Sequence, residues 1–194
     1  LILLASGLSQ RFGTENKLLA DLNGRPVISH VFGTLSDMPF ATKVAVIARD
    51  KILEAIAVQE GFESIINIAP EKGQARSLAF GAQAALDQGV SGAITVLGDM
   101  PFITRRHTEG LMAQANDFDA VMSEYEGIKM PPAYFGLKAL TALSLNTDHG
   151  GGKAALAGLS VSTLPLSAQA ARDIDTQEDL ALARKLQDID HARY

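Results

Sequence analysis

The sequence contains no cysteine and no tryptophan, and its basic residues are few. Without cysteine, a disulfide scaffold, a zinc–thiolate site and a cysteine nucleophile are excluded. Lys and Arg total 17 against 22 Asp and Glu, which gives a net charge of −5. Basic side chains never occur in runs longer than two. Because a nucleic-acid surface needs concentrated positive charge, we expect no nucleic-acid partner.

Long hydrophobic runs are also missing. No apolar stretch reaches the roughly 18 residues that a membrane-spanning helix requires. The opening Leu1-Ile2-Leu3-Leu4 is too short for the apolar core of a signal peptide. We interpret it as a first strand whose leading residues are missing from the sequence. These features predict a cytoplasmic protein that does not bind a membrane.

The composition is that of a globular protein, with 47% hydrophobic and 20% charged residues in 194. A chain of this length buries roughly 70% of its unfolded surface, so it forms a core without covalent cross-links. We found no linker, internal repeat or low-complexity segment. The sequence therefore predicts a single domain over residues 1–194.

Short apolar runs alternate with helical patterns along the chain. Strands are predicted at 1–5, 43–48, 64–68, 93–97, 119–123 and 160–165. Helices are predicted at 26–35, 50–59, 78–86 and 104–116, and from a Thr176–Asp179 capping box onward with Leu182, Leu186 and Ile189 on its apolar face.

Helices between strands imply right-handed crossovers, so we expect a three-layer α/β/α, Rossmann-like fold with a mostly parallel sheet. Residues 123–134 contain a glycine and two adjacent prolines and are less regular than the rest. This irregular stretch predicts either an antiparallel edge strand or a lid.

The loop after the first strand carries the clearest chemical signal. Residues 4–17 hold two glycines, two small hydroxyl side chains, Arg11 and Lys17. Small residues let backbone N–H groups approach a phosphate, and the two cations neutralise its charge. The loop matches neither GxGxxG nor a Walker lysine motif. The alternative is a solvated connection that uses glycine for its turns. We expect Lys17 to be an exposed loop residue that contributes little to stability.

Three further segments follow predicted strands or precede helices, and each has a structural alternative. Asp99 is a candidate Mg²⁺ ligand or a helix N-cap. The polar residues 72–78 favour an anion or a base edge at a helix N-terminus, whereas Ser77 could simply cap that helix. Asp173 and Asp175 could share a cation with Asp99, or they could form an acidic helix start.

Other catalytic patterns do not occur. The four histidines are not paired at metal-ligand spacing, and no GxSxG nucleophile elbow supports a hydrolase triad. Gly150-Gly151-Gly152-Lys153 fails as a Walker loop, because Thr147 stands where the first glycine belongs. The candidate segments above are therefore the ones that could carry chemistry.

Taken together, these motifs resemble the MobA-like nucleotidyltransferases. The run LASGLSQRFGxxNKLL is similar to their signature loop LAxGxSxRMGxxK. Four later segments match family motifs in the same order, over nearly the whole chain: Gly24–Ile28 (GxPLI), Gly73–Gly81 (QGxSxSLxxG), Gly98–Pro101 (GDMP) and Asp173–Leu180 (DIDTPEDL). The resemblance implies a nucleotidyltransferase fold.

Within that family the sequence is most similar to the molybdenum-cofactor cytidylyltransferases. Guanylyltransferase members usually carry LAGG in the first loop and cytidylyl members LAAG, and Leu4-Ala5-Ser6-Gly7 is nearer the second. The resemblance implies Mg²⁺-dependent transfer of CMP from CTP to a molybdopterin-type cofactor, with release of pyrophosphate. It also implies a further partner, a recipient molybdoenzyme or its chaperone.

The family's functional residues carry over to matching positions here. Arg11, Lys17 and Asp99 would be catalytic, the two cations holding the β- and γ-phosphates and stabilising the leaving pyrophosphate. Asp99 would bind Mg²⁺ with Asp175, or with Asp173 in its place. The expected nucleotide-binding set consists of Leu4, Ala5, Ser6, Gly7, Arg11, Lys17, Gly73, Ser77 and Asp99.

The departures from the family pattern lie mainly on the acceptor side. Phe12, Lys72 and Ala75 replace the usual Met, Gln and Ser. Met130-Pro131-Pro132 replaces a G-x-P segment, and residues 147–153 replace a G-D-x-G-A-R pattern. These changes permit a GTP-using or a sugar- or alditol-phosphate nucleotidyltransferase of the same fold. A non-catalytic nucleotide-binding cofactor chaperone is a further alternative, against which the retained Lys17 and Asp99 argue.

Overall fold

The structure is a computed structural model that describes residues 1–146 and 151–191. Its strands are β1 Ile2–Ala5, β2 Asp21–Leu22, β3 Arg25–Pro26, β4 Val44–Ile47, β5 Glu63–Ile66, β6 Gly92–Leu97, β7 Ala120–Tyr125, β8 Ile128–Gly136 and β9 Val161–Pro165. Its helices are α1 Val27–Leu35, α2 Lys51–Gln59, α3 Gln74–Asp87, α4 Arg105–Ala113, α5 Leu137–Leu145, α6 Gly151–Ala155 and α7 Gln177–His191. The predicted alternation of strands and helices is confirmed.

Seven strands form one sheet in the order β5-β4-β1-β6-β8-β7-β9, and β2 and β3 form a separate hairpin. All neighbours in the large sheet run parallel except β8, which is antiparallel to both β6 and β7. The expected mostly parallel sheet is therefore confirmed.

Strand β8 corrects the prediction for residues 123–134. It is antiparallel, as expected, but it lies inside the sheet and is neither an edge strand nor a lid. The pairing with β7 shifts between Met122 and Ser123, and this bulge takes Pro131 and Pro132 out of the regular ladder. Buried Ala133 and Phe135 then continue as an ordinary inner strand.

Helices cover both faces of the sheet, which confirms the three layers. On one face α1, α2 and α4 pack on alternate strand residues such as Leu3 and Ile47. On the other face α3 and α5 pack on Ile2 and Val46. Both sets of strand side chains are buried because helices cover both sides of a parallel sheet.

Helix α7 begins as predicted but packs through other residues. The Thr176–Asp179 capping box is present, with Asp179 N donating to Thr176 Oγ1 at 3.2 Å and Thr176 N donating to Asp179 Oδ2 at 2.8 Å. Leu180 and Ala183 are the buried side chains, whereas Leu182 is 41% exposed. The expected Leu182 face is wrong, because the helix rests on a small cluster around Phe12 and Leu22 rather than on the sheet. The side chain of Ile189 lies outside the described residues.

The strand order places a cleft at the carboxyl ends of β1 and β6. The chain moves outward from β1 to β4 and β5, then returns to β6 on the opposite side of β1. A ligand crevice forms where the strand order reverses in this way. Among the described residues, no helix is both long and apolar enough to cross a membrane.

Candidate active site

A cavity of about 620 Å³ opens at this switch point. It is lined by every nucleotide-binding or metal-binding residue expected from the sequence except one, namely by Leu4, Ser6, Gly7, Arg11, Lys17, Gly73, Ser77, Asp99 and Asp175. The exception is Ala5, which is 3% exposed and belongs to the core beneath the cavity. Asp173, the alternative metal ligand, also lines the cavity.

Lys17 lies at the centre of the site. Its Nζ is 2.6 Å from Asp99 Oδ2 and 2.6 Å from Asp175 Oδ1, and Arg11 forms an ion pair with the same Asp175. The backbone N–H of Ile174 donates to the carbonyl of Asp99 at 2.9 Å, which fixes the segment before α7 against the end of β6. Two loops that are far apart in sequence thus present two carboxylates to one ammonium.

Local hydrogen bonds hold Lys17 in place. It begins a short 3₁₀ turn that Asn16 caps, with Leu18 N donating to Asn16 Oδ1 at 3.1 Å. The Lys17 N–H donates to Ser9 Oγ at 3.3 Å, which closes the loop on itself. Lys17 is 7% exposed, so the expectation of an exposed loop lysine is wrong.

The site concentrates opposite charges. Burial by itself lowers the pKa of Lys17, but its attraction to Asp99 and its hydrogen bonds to Asp175 and Asp99 outweigh burial, and the pKa is raised. Lys17 therefore stays protonated. Burial, together with the neighbouring carboxylates of Asp175 and Asp99, raises the pKa of Asp173. With Asp173 as a third carboxylate, the pocket favours a cation in addition to Lys17 and Arg11.

The donor atoms fit a divalent cation that binds together with phosphate. Asp99 Oδ2 contacts Lys17, whereas Asp99 Oδ1 is buried and has no hydrogen-bond partner among the described residues. Within residues 1–146 and 151–191 no three His, Cys, Asp or Glu side chains form a metal cage. Mg²⁺ does not need one, because it takes one or two carboxylates and completes its shell with phosphate oxygens and water.

The helix-capping alternatives are wrong for Asp99 and Ser77. Helix α4 is capped by Thr104, whose Oγ1 accepts from His107 N at 3.2 Å, so Asp99 is free of that role. Ser77 lies within α3, whose N-cap is Gly73. The start of α7 is capped by Thr176, while Asp175 faces the two cations.

The sequence interpretation missed Asn67, a buried amide behind the cleft. It follows β5, is 1% exposed, and its Nδ2 donates to Ser77 Oγ at 3.0 Å. A polar residue directly after β5 was the available signal, since Asp99 likewise lies close behind the end of β6, two residues beyond Leu97.

A second cavity of about 760 Å³ adjoins the first and shares Leu4 and Gln74 with it. Its walls are mostly apolar and include Leu78, Met122, Met130, Phe135 and Leu156. The Oγ1 of Thr95, which also lines it, is buried without a hydrogen-bond partner among the described residues. Of the altered segment 147–153, residues 147–150 lie outside the described residues.

Comparisons with known proteins identify the family of the chain. Residues 1–164 match the family described as the MobA-like NTP transferase domain. Purine catabolism protein PucB of Bacillus subtilis (strain 168) is 29% identical over 196 residues, which cover 95% of each chain.

Solved structures share the fold. Rv0371c of Mycobacterium tuberculosis H37Rv superimposes with a TM-score of 0.80 at 18% identity, covering 95% of this chain and 96% of that one. Its complex with manganese gives a TM-score of 0.77 at 15% identity, with coverage of 95% and 96%. Molybdopterin-guanine dinucleotide biosynthesis protein A of Archaeoglobus fulgidus gives 0.73 at 22% identity, with coverage of 96% and 97%.

Proposed function

The chain belongs to the MobA-like NTP transferase family and is a nucleotidyltransferase, and from this premise we propose that it transfers CMP from CTP to the terminal phosphate of a molybdopterin-type cofactor. The observation that carries the proposal is the cleft in which Lys17 and Arg11 meet Asp99 and Asp175. Paired cations beside paired carboxylates suit a triphosphate that arrives with a divalent ion.

The proposed reaction is an in-line displacement at the α-phosphorus of CTP. An oxygen of the acceptor phosphate forms the new bond, and the bond from the α-phosphorus to the bridging oxygen breaks as pyrophosphate leaves with the electron pair. Lys17 and Arg11 neutralise the negative charge on that leaving group. The Arg11 side chain is 74% exposed, so it can turn from Asp175 onto an arriving phosphate. The acceptor phosphate is already anionic, so no general base is required.

We place Mg²⁺ on Asp99 and Asp175, with Asp173 as the neighbouring carboxylate. The buried Asp99 Oδ1 without a hydrogen-bond partner among the described residues supports this assignment. When bound, the ion would withdraw charge from the phosphate that is attacked. The manganese complex of the mycobacterial protein with the same fold is consistent with a divalent ion, although its identity with this chain is only 15%.

For the nucleotide we propose CTP, held by Leu4, Ser6 and Gly7 at the end of β1 and by Gly73 and Ser77 at the start of α3. These two segments form one side of the cavity. The LASG sequence, which is nearer the cytidylyl LAAG than the guanylyl LAGG, supports CTP over GTP.

For the acceptor we propose that its body occupies the second cavity while its phosphate reaches the first. The apolar walls around Leu78, Met130 and Phe135 can cover the faces of a flat ring system, and Gln74, Thr95 and Lys129 in the same lining can serve its polar edge. A polyol carries hydroxyls on all sides, and each needs a partner. This observation supports a pterin over a sugar or alditol phosphate. We place the reaction in the cytoplasm, with a molybdoenzyme or its chaperone as recipient.

Pyrophosphate release tests the proposal directly. The protein is incubated with CTP, GTP, ATP or UTP and Mg²⁺, with a molybdopterin-type acceptor, with an alditol phosphate, or with neither. We expect release only with the pterin acceptor and fastest with CTP. Release of pyrophosphate with the alditol phosphate but not with the pterin acceptor would show that the acceptor is an alditol phosphate. Nucleotide binding without release under any condition would identify a binding protein instead.

A further inference from the structure

Three buried polar side chains meet on the floor of the nucleotide cleft. They come from three elements: Ser6 follows β1, Asn67 follows β5, and Ser77 lies in α3. Ser6 Oγ is 2.5 Å from Ser77 Oγ, and Asn67 Nδ2 is 3.0 Å from Ser77 Oγ and 3.5 Å from Ser6 Oγ. The two serines line the cavity, and Asn67, which does not, supports them. We call these three residues the Ser–Asn–Ser cluster.

The orientation of the Asn67 amide is fixed by its other end. Its Oδ1 accepts from the backbone N–H of Ala69 at 3.0 Å, so the oxygen faces the turn after β5. A flipped amide would set its NH₂ group against that N–H, two donors face to face. The NH₂ group therefore faces the serines, and both hydroxyl oxygens act as acceptors from it.

One of the two serine hydroxyl hydrogens has no acceptor within the cluster. The two serines carry two hydroxyl hydrogens, and only one can lie between oxygens that are 2.5 Å apart. The Asn67 NH₂ group offers no acceptor for the other. Among the contacts of the described residues, none provides an acceptor for that second hydrogen. Since both serines line the cavity, the free O–H can be directed into it.

We propose that Asn67 is a positioning residue for the nucleobase. By holding Ser6 and Ser77 as acceptors, it leaves one serine O–H to donate to the ligand, and the ligand atom at this point is a hydrogen-bond acceptor. For the proposed CTP that atom is the carbonyl oxygen of cytosine; uracil and guanine also carry a carbonyl, whereas adenine offers only ring nitrogens as acceptors. This inference rests on the proposed function, because it assumes that the cleft holds a nucleoside triphosphate.

The test compares nucleotide affinities rather than activity. Isothermal titration with Mg²⁺ and no acceptor gives the dissociation constants of CTP, GTP, UTP and ATP. For the unchanged protein we expect the preferred carbonyl-bearing nucleotide to bind at least about 10-fold more tightly than ATP, because the donor finds no carbonyl on adenine.

The variant Asn67→Asp distinguishes an Asn67 that orients the serine hydroxyls from one that only packs beneath them. An aspartate keeps the shape and can still accept from Ala69 N–H, but its second oxygen takes the serine hydrogens and leaves none for the ligand. Its charge weakens all four nucleotides alike, so the informative quantity is the ratio of affinities, which we expect to fall to within about 2-fold of one. The matched control is Ser64→Ala, which removes a buried hydroxyl from β5 that does not line the cavity and should leave the ratio unchanged.

If Asn67→Asp does not fold, the double variant Ser6→Ala/Ser77→Ala tests the same point. It removes both serine hydroxyls, so the ratio of the affinities for the preferred nucleotide and ATP should again fall to within about 2-fold of one. A ratio that persists in either folded variant would overturn the inference while leaving the proposed function intact. An unchanged protein that prefers ATP would overturn both the inference and the assignment of CTP. If none of the four nucleotides binds, both the proposed function and this inference fail.

Discussion

Lys17 is an internal counter-ion at the position where a metal-bound triphosphate would lie. Its ammonium contacts both candidate metal ligands, Asp99 and Asp175, at 2.6 Å. In the absence of nucleotide it therefore neutralises the carboxylates that a divalent ion would use. Binding of the triphosphate would give Lys17 new anionic partners and release these carboxylates.

This arrangement predicts two effects of Lys17→Ala on the enzyme. Pyrophosphate release should fall about 10²–10³-fold, on the scale of losing one donor that stabilises the leaving group. Stability should fall by about 1–3 kcal/mol, because the partly buried Asp99 loses its ion-pair partner and Asp175 keeps only the exposed Arg11. Urea denaturation and a pyrophosphate assay measure the two effects. Lys138→Ala, which removes an exposed ion pair to Asp119 outside the cleft, is the control and should change neither.

The same variant should change metal binding in the opposite direction. Without nucleotide, we expect Lys17→Ala to bind Mn²⁺ about 10-fold more tightly than the unchanged protein. The carboxylates of Asp99 and Asp175 are no longer neutralised by the Lys17 ammonium, so their full negative charge attracts the metal ion. Electron paramagnetic resonance of free Mn²⁺ measures the affinity. Addition of CTP should tighten Mn²⁺ binding in the unchanged protein. Weaker metal binding in Lys17→Ala would show that the lysine organises the carboxylates rather than competing for them.

Among the elements, α3 approaches the sheet most closely at Gly81. A Cβ at this position would overlap Ile2 Cγ2 and lie 3.3 Å from Val46 Cγ2. Gly81→Ala should therefore destabilise the protein by about 1–3 kcal/mol through overpacking. Gly33→Ala is the matched control, because Gly33 is exposed in α1 and its nearest neighbour is the flexible end of Arg25. Gly33→Ala should stabilise the protein by about 0.5–1 kcal/mol. Denaturant titrations measure both changes in the free energy of unfolding, and changes of the same sign in the two variants would contradict the packing argument.

Helix α4 is joined to the sheet through the hydrogen bond of a half-buried histidine. His107 Nε2 lies 2.7 Å from Ser123 Oγ, which donates to the carbonyl of Pro132 at 2.5 Å, so the imidazole nitrogen is the donor. Burial lowers the pKa of His107. The unfolded chain, with a histidine pKa of about 6.5, therefore takes up protons first as the pH falls, and the contribution of His107 is present above that value.

The protein should accordingly lose stability between about pH 6.5 and the lower pKa of the folded histidine. Thermal melts at pH 7.5, 6.5 and 5.5 measure the loss. In His107→Gln the loss should be smaller but not absent, because burial lowers the pKa of His30 as well. An identical pH dependence in the two proteins would assign the effect to groups other than His107.

Elements specified by local chemistry were predictable, and those specified by distant neighbours were not. The Thr176–Asp179 capping box fixes the start of α7 within four residues of chain. Asn23-Gly24 also carries a local signal, since both residues have positive φ in the turn between β2 and β3, but the sequence interpretation overlooked this hairpin. The interior position of β8 depends on its pairing with β6, whose register partners lie about 40 residues away.

At the scale of the whole molecule, ligand binding should appear as increased stability. CTP with Mg²⁺ at about 100 times its dissociation constant should add roughly 2.7 kcal/mol. GTP and ATP at the same concentration should add less if the LASG loop selects cytosine. A thermal-shift panel measures the difference, and a clearly larger shift with GTP would reject the cytidylyl assignment while leaving the family unaffected. Omitting Mg²⁺ should reduce the shift with every nucleotide.

The order of motifs along the chain predicted which residues line the cleft but not how they contact one another. Arg11, Lys17, Asp99 and Asp175 were all expected in one site, and the structure brings them together. The ion pair of Lys17 with Asp175 spans 158 residues, and the contact of Asn67 with Ser6 spans 61. No periodicity or spacing in a single sequence encodes such contacts, because they follow from the strand order.

The hydrogen bond from Ile174 to Asp99 has a consequence for biosynthesis. A ribosome that has released β1 through β6 has already made the first loop and Asp99, but the segment that carries Asp175 is still missing. At about 5–20 residues per second, the stretch from Asp99 to Asp175 takes several seconds to appear. During that interval the nascent protein lacks the second carboxylate that contacts Lys17 in the structure. The cleft is therefore completed only after residue 175 has been translated, and a nascent chain that stops before that residue lacks the second carboxylate.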